Sequence, residues 1–462
     1  MRIGNAAGFG GDNLDAPRLL AEQGELDFLT LEYLAELTLS VLAYQKTKNP
    51  AAGFVSDLPG VIESLVPALR QQSQLKIVTN GGGMNPESAA RTVAKLLIEN
   101  GMPDCRIAVC QGDDLVGRFD ELIAAGESFV NLETGEPLGD RRVRLASANA
   151  YLGAAGIVDA LKQDARIVIT GRIADASLVV GPAVYYFGWP WDDFGRLGRA
   201  TVAGHLIECG AQVTGGMFSD WDWQSDPDLA SIGYPIAIID DEGNCQITKP
   251  AGSQGFVTCQ TVAEQLVYEI GDPQQYLTPD VTANFQNVQL AQSGPDRVHV
   301  TLGDGSAAPE RYKVSLAYAA GFAVSGMIVF SGPRAVEHAR AAAQMVRQRV
   351  EQAGFQLDRY HAEVIGAGDT FSGDRTMTRT CTEQHPWDVV LRIAAQDARR
   401  EAVDRLAREL APLVSSGPPG VSGYTGSRPR SHPVLAFWPT TIDRNHCAHQ
   451  VSVRSAKEWQ HE

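Results

Sequence analysis

Four glycine-rich loops, each directly after a short apolar run, constrain this chain most; they occupy residues 8–13, 80–86, 111–114 and 171–175. The apolar runs read as buried strands over residues 2–5, 27–31, 75–79 (LKIVT), 106–110 and 166–170 (RIVIT). Amphipathic stretches alternate with them and predict helices over 15–23, 32–46, 58–72, 86–100 and 115–125. Strand, glycine turn and helix in repetition is the pattern of β–α units, so the expected class is α/β, with a mostly parallel sheet and flanking helices in the first half. Pro67 is expected to kink or interrupt the 58–72 helix, because proline lacks the amide proton that a helix interior needs. Small apolar residues at helical spacing predict one helix over 143–161. An apolar helix runs to residue 186, Trp189-Pro190-Trp191 breaks it, and a helix resumes over 199–212.

At 462 residues the chain exceeds what one core normally holds, roughly 250–300 residues. A Trp/Asp-rich stretch near 220–234 marks a change of character. Beyond it lie strand candidates at 235–240, 298–302 and 312–316, the stretch 326–330 before a helix at 334–352, the stretch 361–365 before a helix at 395–410, and a closing apolar run at 434–438. The expected organisation is therefore an α/β domain over 1–225, an α+β region over 226–443 and a hydrophilic tail over 444–462.

The net charge of −16 repels phosphodiester backbones, which excludes nucleic acid as an expected partner. It does not exclude an anionic ligand, since local backbone N–H groups and an arginine can outweigh a distant field. No basic run precedes a long apolar stretch at the start, and nowhere do about 18 apolar residues follow one another, so neither a signal peptide nor a membrane partner is expected. The seven cysteines are scattered without CxxC spacing, which fits reduced thiols and a cytoplasmic location.

In open parallel sheets ligands bind outside the carboxyl ends of the strands, so the four loops are the candidate small-molecule site. The first offers Asn5, Gly8, Gly10 and Asp12. Its GxG after a strand resembles half of a dinucleotide fingerprint, with Asp27 and Glu32 downstream, but position 13 is Asn where that motif has its third glycine. A tight strand-to-helix turn explains the same glycines. The second loop, Asn80-Gly81-Gly82-Gly83, costs much entropy to order, which favours a backbone approached by a ligand over a merely flexible connection. In the third, Asp113 is a general base or ligand group, or, with Asp114, part of a helix cap. In the fourth, Arg172 and Asp175 either hold a carboxylate or phosphate or close the loop as an internal pair.

One helix concentrates polar groups at i, i+3 and i+4: His205, Glu208 and Cys209. Glu208 polarising His205 for proton transfer, a metal site, and a structural pair are all compatible with that spacing. No second ligand pair accompanies it, so no metal is expected.

Read together, GNAAGFGGD, TNGGGMNP, GRIADASLVVGP, AGHLIECGAQVTGG, QLVYEIGDPQQYLTPDV and SGPPGVSGYTGSRPR resemble the acyclic terpene utilisation (AtuA-type) family over residues 2 to about 443. The resemblance implies catabolism of branched acyclic terpenoids, whose intermediates are acyl-CoA thioesters such as geranyl- or citronellyl-CoA derivatives. Many members carry a further C-terminal ferredoxin-fold module. Only about twenty hydrophilic residues follow the last strand candidate here, so the resemblance leaves that module lost or supplied by a separate small ferredoxin-fold protein. A homo-oligomer is also expected.

The expected function is acid–base chemistry on a branched carboxylic acid or its thioester, with CoA entering only as part of the substrate. Hydration, lyase cleavage and hydrolysis all remain open. Arg172 and the glycine loops would hold the anionic part, Glu208 or His205 would move a proton, and Asp113 would assist. The alternatives are a non-catalytic acyl-CoA-binding or scaffolding subunit, and a nucleotide-dependent enzyme.

Overall fold

In the computed structural model, which describes residues 1–34, 36–222, 229–370 and 386–461, the chain divides into two units, Met1–Ala317 with Phe437–Glu462, and Tyr318–Ala436.

The first unit contains β1 (Arg2–Asn5), β2 (Phe28–Leu31), β3 (Lys76–Thr79), β4 (Arg106–Gln111), β5 (Leu145–Ala150) and β6 (Ile167–Thr170). All but β5 lie side by side and parallel, in the order β1-β2-β3-β6-β4. Every residue of β2 and β6 is buried, as parallel strands covered on both faces require. Register is fixed by apolar neighbours: Ile3 lies opposite Phe28, Leu29 opposite Ile77, and Ile77 opposite Ile167. Because these strands run one way, the loops that follow them open on a single edge of the sheet.

The sheet is mixed overall. After β7 (Ile236–Ile239) and β8 (Cys245–Thr248) come β9 (Tyr276–Leu277), β10 (Thr282–Asn284), β11 (Gln289–Gly294), β12 (Arg297–Thr301) and β13 (Asp304–Ser306). β7 pairs antiparallel with β1, and β8, β12 and β11 continue outward from it. β13, β10 and β9 form a separate small sheet. The division expected near residue 225 is thus corrected: hydrogen bonds between β1 and β7 carry one sheet across it. A local change of composition does not reveal a pairing between residues that far apart.

The hydrophilic tail is corrected as well. The strand Gln450–Ser455 pairs antiparallel with β4 at the far edge, and the helix Ala456–Gln460 follows it. Two apolar side chains, Ala456 and Trp459, anchor that helix in the core while its other residues face solvent. The single helix expected over 143–161 is instead β5 followed by the helix Ala155–Lys162, with Asp280 Oδ1 accepting from the Ala154 N–H at 2.8 Å. Small residues suit either state, and the strand partner of β5 is remote. Pro67 lies inside the helix Leu58–Gln71 and does not end it.

β14 (Arg311–Ser331) begins in the first unit and continues into the second, which also holds β15 (Arg359–Ile365), β16 (Asp388–Asp397) and β17 (Val421–Tyr424). Its sheet has the order β15-β16-β14-β17 with every neighbour antiparallel, and helices Ala335–Gln352 and Arg400–Glu409 connect the strands. This β-α-β-β-α-β path is the ferredoxin-like topology. A ferredoxin-like module is therefore built into residues 318–436. Its own core joins Val324, Ile328 and Phe330 to Ala339, Val346 and Leu406. The helix expected over 395–410 starts only at Arg400, because residues 388–397 alternate inward and outward as a strand.

Candidate active site

At the carboxyl edge of β1, Asn5 is 1% exposed and joins three elements. Its Oδ1 accepts from Thr30 Oγ1 at 3.1 Å, and its Nδ2 donates to the carbonyls of Ile207 and Glu208 at 2.8 and 2.9 Å. These carbonyls end the helix Phe194–Glu208 and would otherwise lack intrahelical partners. One buried amide thus brings the His205/Glu208 helix onto the edge where the loops open. Gly8 belongs to the same junction: a Cβ there would lie 2.9 Å from the carbonyl carbon of Cys209.

A cavity of about 410 Å³ opens at this junction. Five carboxyl side chains line it, from Asp12, Glu32, Asp175, Glu208 and Glu269, together with Tyr234 and Tyr268; among the described residues no Lys, Arg or His does. Asp12 is fixed by Tyr234 Oη at 2.5 Å and by the Gly8 N–H at 2.9 Å. Glu32 Oε1 accepts from the Leu34 N–H at 2.7 Å, and its Oε2 accepts from Asn80 Nδ2. Burial, reinforced by Asp175, pushes the Glu32 carboxyl well above the usual range, with Arg172 opposing.

Glu208 is backed by His205. His205 is 1% exposed, with Nδ1 at 2.9 Å from Glu208 Oε1 and Nε2 at 2.9 Å from the Gln265 carbonyl. Since a carbonyl only accepts, Nε2 carries a proton, and Nδ1 faces the carboxyl. Burial pushes the Glu208 carboxyl up, and His205 pulls it only part of the way back. Burial works against the charged His205, yet Glu208 raises its pKa overall. Glu208 Oε2 is buried and has no hydrogen-bond partner among the described residues. Cys209 also lines the cavity, but burial holds its thiol up at about 12, so it is no thiolate nucleophile at neutral pH.

Arg172 does not line this cavity. It is 2% exposed, its Nη1 donates to Leu34 O at 2.7 Å and to Asp175 at 2.8 Å, and its guanidinium lies 3.9 Å from the Tyr151 ring centroid. Of the two expected readings, the internal pair that closes the loop is present: Arg172 holds Asp175 and the Leu34 carbonyl. Gly10 lies outside the lining, with a Cβ there no closer than 3.8 Å to its neighbours.

The triple glycine has a packing explanation. A Cβ on Gly81 would lie 3.0 Å from the Tyr33 ring, one on Gly82 2.5 Å from Thr170 O, and Gly83 has φ +50° with Leu42 behind it. Gly82→Ala should cost about 1–3 kcal/mol by overpacking against backbone, read as a lower urea midpoint; an unchanged midpoint counts against this account.

Asp113 stands apart from the acid-lined cavity. Its Oδ2 accepts from Asn149 Nδ2 and from the Arg172 N–H, both at 2.8 Å. Burial pushes its carboxyl from 3.8 up to about 6, against those two hydrogen bonds. Between roughly pH 4 and 6 the folded chain keeps a proton that the unfolded chain has released. Stability must then fall as pH rises through that window, by on the order of 3 kcal/mol for this group. Asp113→Asn should lessen the fall by about that amount, as measured by urea unfolding at pH 4 and pH 7, while the other buried carboxyls with raised pKa, Glu32 and Glu208, keep their share. An identical fall in the variant would refute the assignment.

The structure thus brings Gly8, Asp12, Asp175 and Glu208 to one cavity, with Asn5, Asn80, Arg172 and His205 behind them. It leaves Gly10, Gly81–Gly83 and Asp113 out. Sequence reasoning weighed Glu32 only as a ribose-binding acid and missed Tyr234, Tyr268 and Glu269. The last two stand in the family-like stretch QLVYEIGDP, which was the available signal. Among the described residues, no three His, Cys, Asp or Glu side chains are arranged to hold a metal ion. Nor, among the described residues, is any helix long and apolar enough to cross a membrane.

A family model described as acyclic terpene utilisation family protein AtuA matches residues 1–453. No curated protein and no solved structure matches the chain. The chain belongs to the acyclic terpene utilisation family.

Proposed function

With membership of the acyclic terpene utilisation family as the premise, we propose that this protein is an enzyme that adds water to, or removes it from, a branched carbon–carbon double bond in the uncharged acyl chain of a thioester. The observation that carries the reading is the acid-lined cavity with Glu208 backed by His205.

The sign of the charge discriminates between reactions. Thioester hydrolysis and carbanion-forming lyase chemistry develop negative charge on oxygen, which calls for aimed N–H groups or a cation. Protonating a branched alkene develops positive charge on carbon, which neighbouring carboxylates and tyrosine faces stabilise. A lining with five carboxyl groups and, among the described residues, no cationic side chain favours the second case. It also disfavours a free carboxylate in the cavity, whereas a thioester carries the same acyl chain without that charge.

In the hydration direction, the Glu208 carboxyl gives its proton to the less substituted alkene carbon, and positive charge develops on the branched carbon. Water forms the new C–O bond there and releases a proton to a carboxylate of the lining. The net change is one water added. An imidazolium at His205 stabilises the carboxylate that Glu208 becomes, so His205 is a positioning residue.

The test is incubation of the purified protein with citronellyl-CoA in D2O. The expected product is a tertiary alcohol carrying one deuterium on carbon, with the thioester intact. Release of free CoA would identify a hydrolase instead and overturn the proposal.

A further inference from the structure

A second cavity, of about 350 Å³, lies where β3 and β4 end, and the function proposed above makes no use of it. Lys46, Gly83, Gln111, Asp113, Asp114 and Asn149 are among its lining residues, so it takes up the TNGGGMNP and QGDD motifs that the acid-lined cavity leaves aside. Asn149 is 1% exposed. Its Nδ2 donates to Asp113, while its Oδ1 is buried with no hydrogen-bond partner among the described residues. Buried amide oxygens are nearly always satisfied, so this one calls for a donor from outside the chain. Lys46 supplies the complementary need. One proton of its ammonium goes to Met84 O at 2.7 Å, and an ammonium has three to give.

We propose that this cavity binds an uncharged group presenting an N–H or O–H donor to Asn149 Oδ1 and an oxygen acceptor to Lys46. The carboxyl side chains of Glu87, Asp113 and Asp114 in the lining disfavour an anion. Secondary amides and vicinal hydroxyls have this chemistry. The amide arm of a pantetheine thioester is one source, and that identification rests on the acyl-thioester reading above; a free sugar is the other.

Calorimetric titration of the full chain with pantetheine and, separately, with ribose tests the proposal. Saturable binding of pantetheine is expected, weakened at least tenfold in Asn149→Leu and in Lys46→Met and unchanged in Glu208→Gln. Lys46 lies nearer the surface, so its variant keeps the test open if Asn149→Leu does not fold. Ribose binding with the same dependence on the two variants supports the site and assigns it to polyols. No saturable binding of either probe, or binding indifferent to both substitutions, overturns the proposal. Pantetheine binding without turnover of citronellyl-CoA would leave this site standing while the hydration reading fails.

Discussion

Glu208→Gln is expected to lower kcat on citronellyl-CoA by about 10²–10⁴-fold, the usual contribution of a positioned general acid. Glutamine keeps the shape and can still meet His205 Nδ1, so KM and the unfolding midpoint should change little. The wild-type rate should fall as pH rises, because only the protonated carboxyl can give its proton, and burial extends that form above the usual carboxylate range. His205 lowers the Glu208 pKa, so His205→Ala should move the falling limb to higher pH while reducing the maximal rate. A limb that moves to lower pH contradicts the pairing. Full activity in Glu208→Gln would remove Glu208 from the chemistry altogether.

Trp459→Ala should destabilise the first unit by about 3–5 kcal/mol, the cost of emptying a large aromatic site in a packed core. Trp459 is 2% exposed, its Nε1 donates to Ile107 O at 3.1 Å, and the Arg454 guanidinium lies 4.9 Å from its ring centroid. Truncation leaves a cavity beside β4 and removes the donor. Trp459→Phe retains most of the volume and should lose only about 1–2 kcal/mol, mainly for the missing hydrogen bond. Urea unfolding followed by far-ultraviolet circular dichroism separates the two. A loss below 1 kcal/mol for the alanine variant would show that the helix Ala456–Gln460 is not held by this residue.

Which elements were legible from the sequence follows from where their partners lie. β1, β2, β3, β4 and β6 are buried on both faces, so runs such as LKIVT and RIVIT are unbroken and readable alone. β5 and the strand Gln450–Ser455 depend on partners far along the chain, and their small-residue or polar sequences carry no such mark; β7 is readable as a strand over 235–240, but its pairing with β1 is not. Residues 395–397 read as the start of a helix, and only pairing with β14 and β15 shows that they end the strand begun at Asp388. The loops do follow the parallel strands at one edge of the sheet, and the i, i+3 spacing foretells the contact between His205 and Glu208. It did not reveal which loops share a cavity. Gly82 and Arg172 resemble ligand-binding residues in sequence, but their neighbours are Thr170 O and Leu34 O, contacts that exist only after folding.

The pairing of β4 with the strand Gln450–Ser455 also sets an order of events during synthesis. Trp459 contacts a residue made 352 positions earlier. At typical translation speeds of about 5–20 residues per second, the outer edge of β4 stays uncovered for some tens of seconds after it emerges. During that interval an apolar strand with unpaired N–H and C=O groups can pair with another nascent chain. Substitutions in residues 450–459 should therefore lower soluble yield more than their cost to the finished fold would indicate, and slower translation of the intervening segment should make the loss worse.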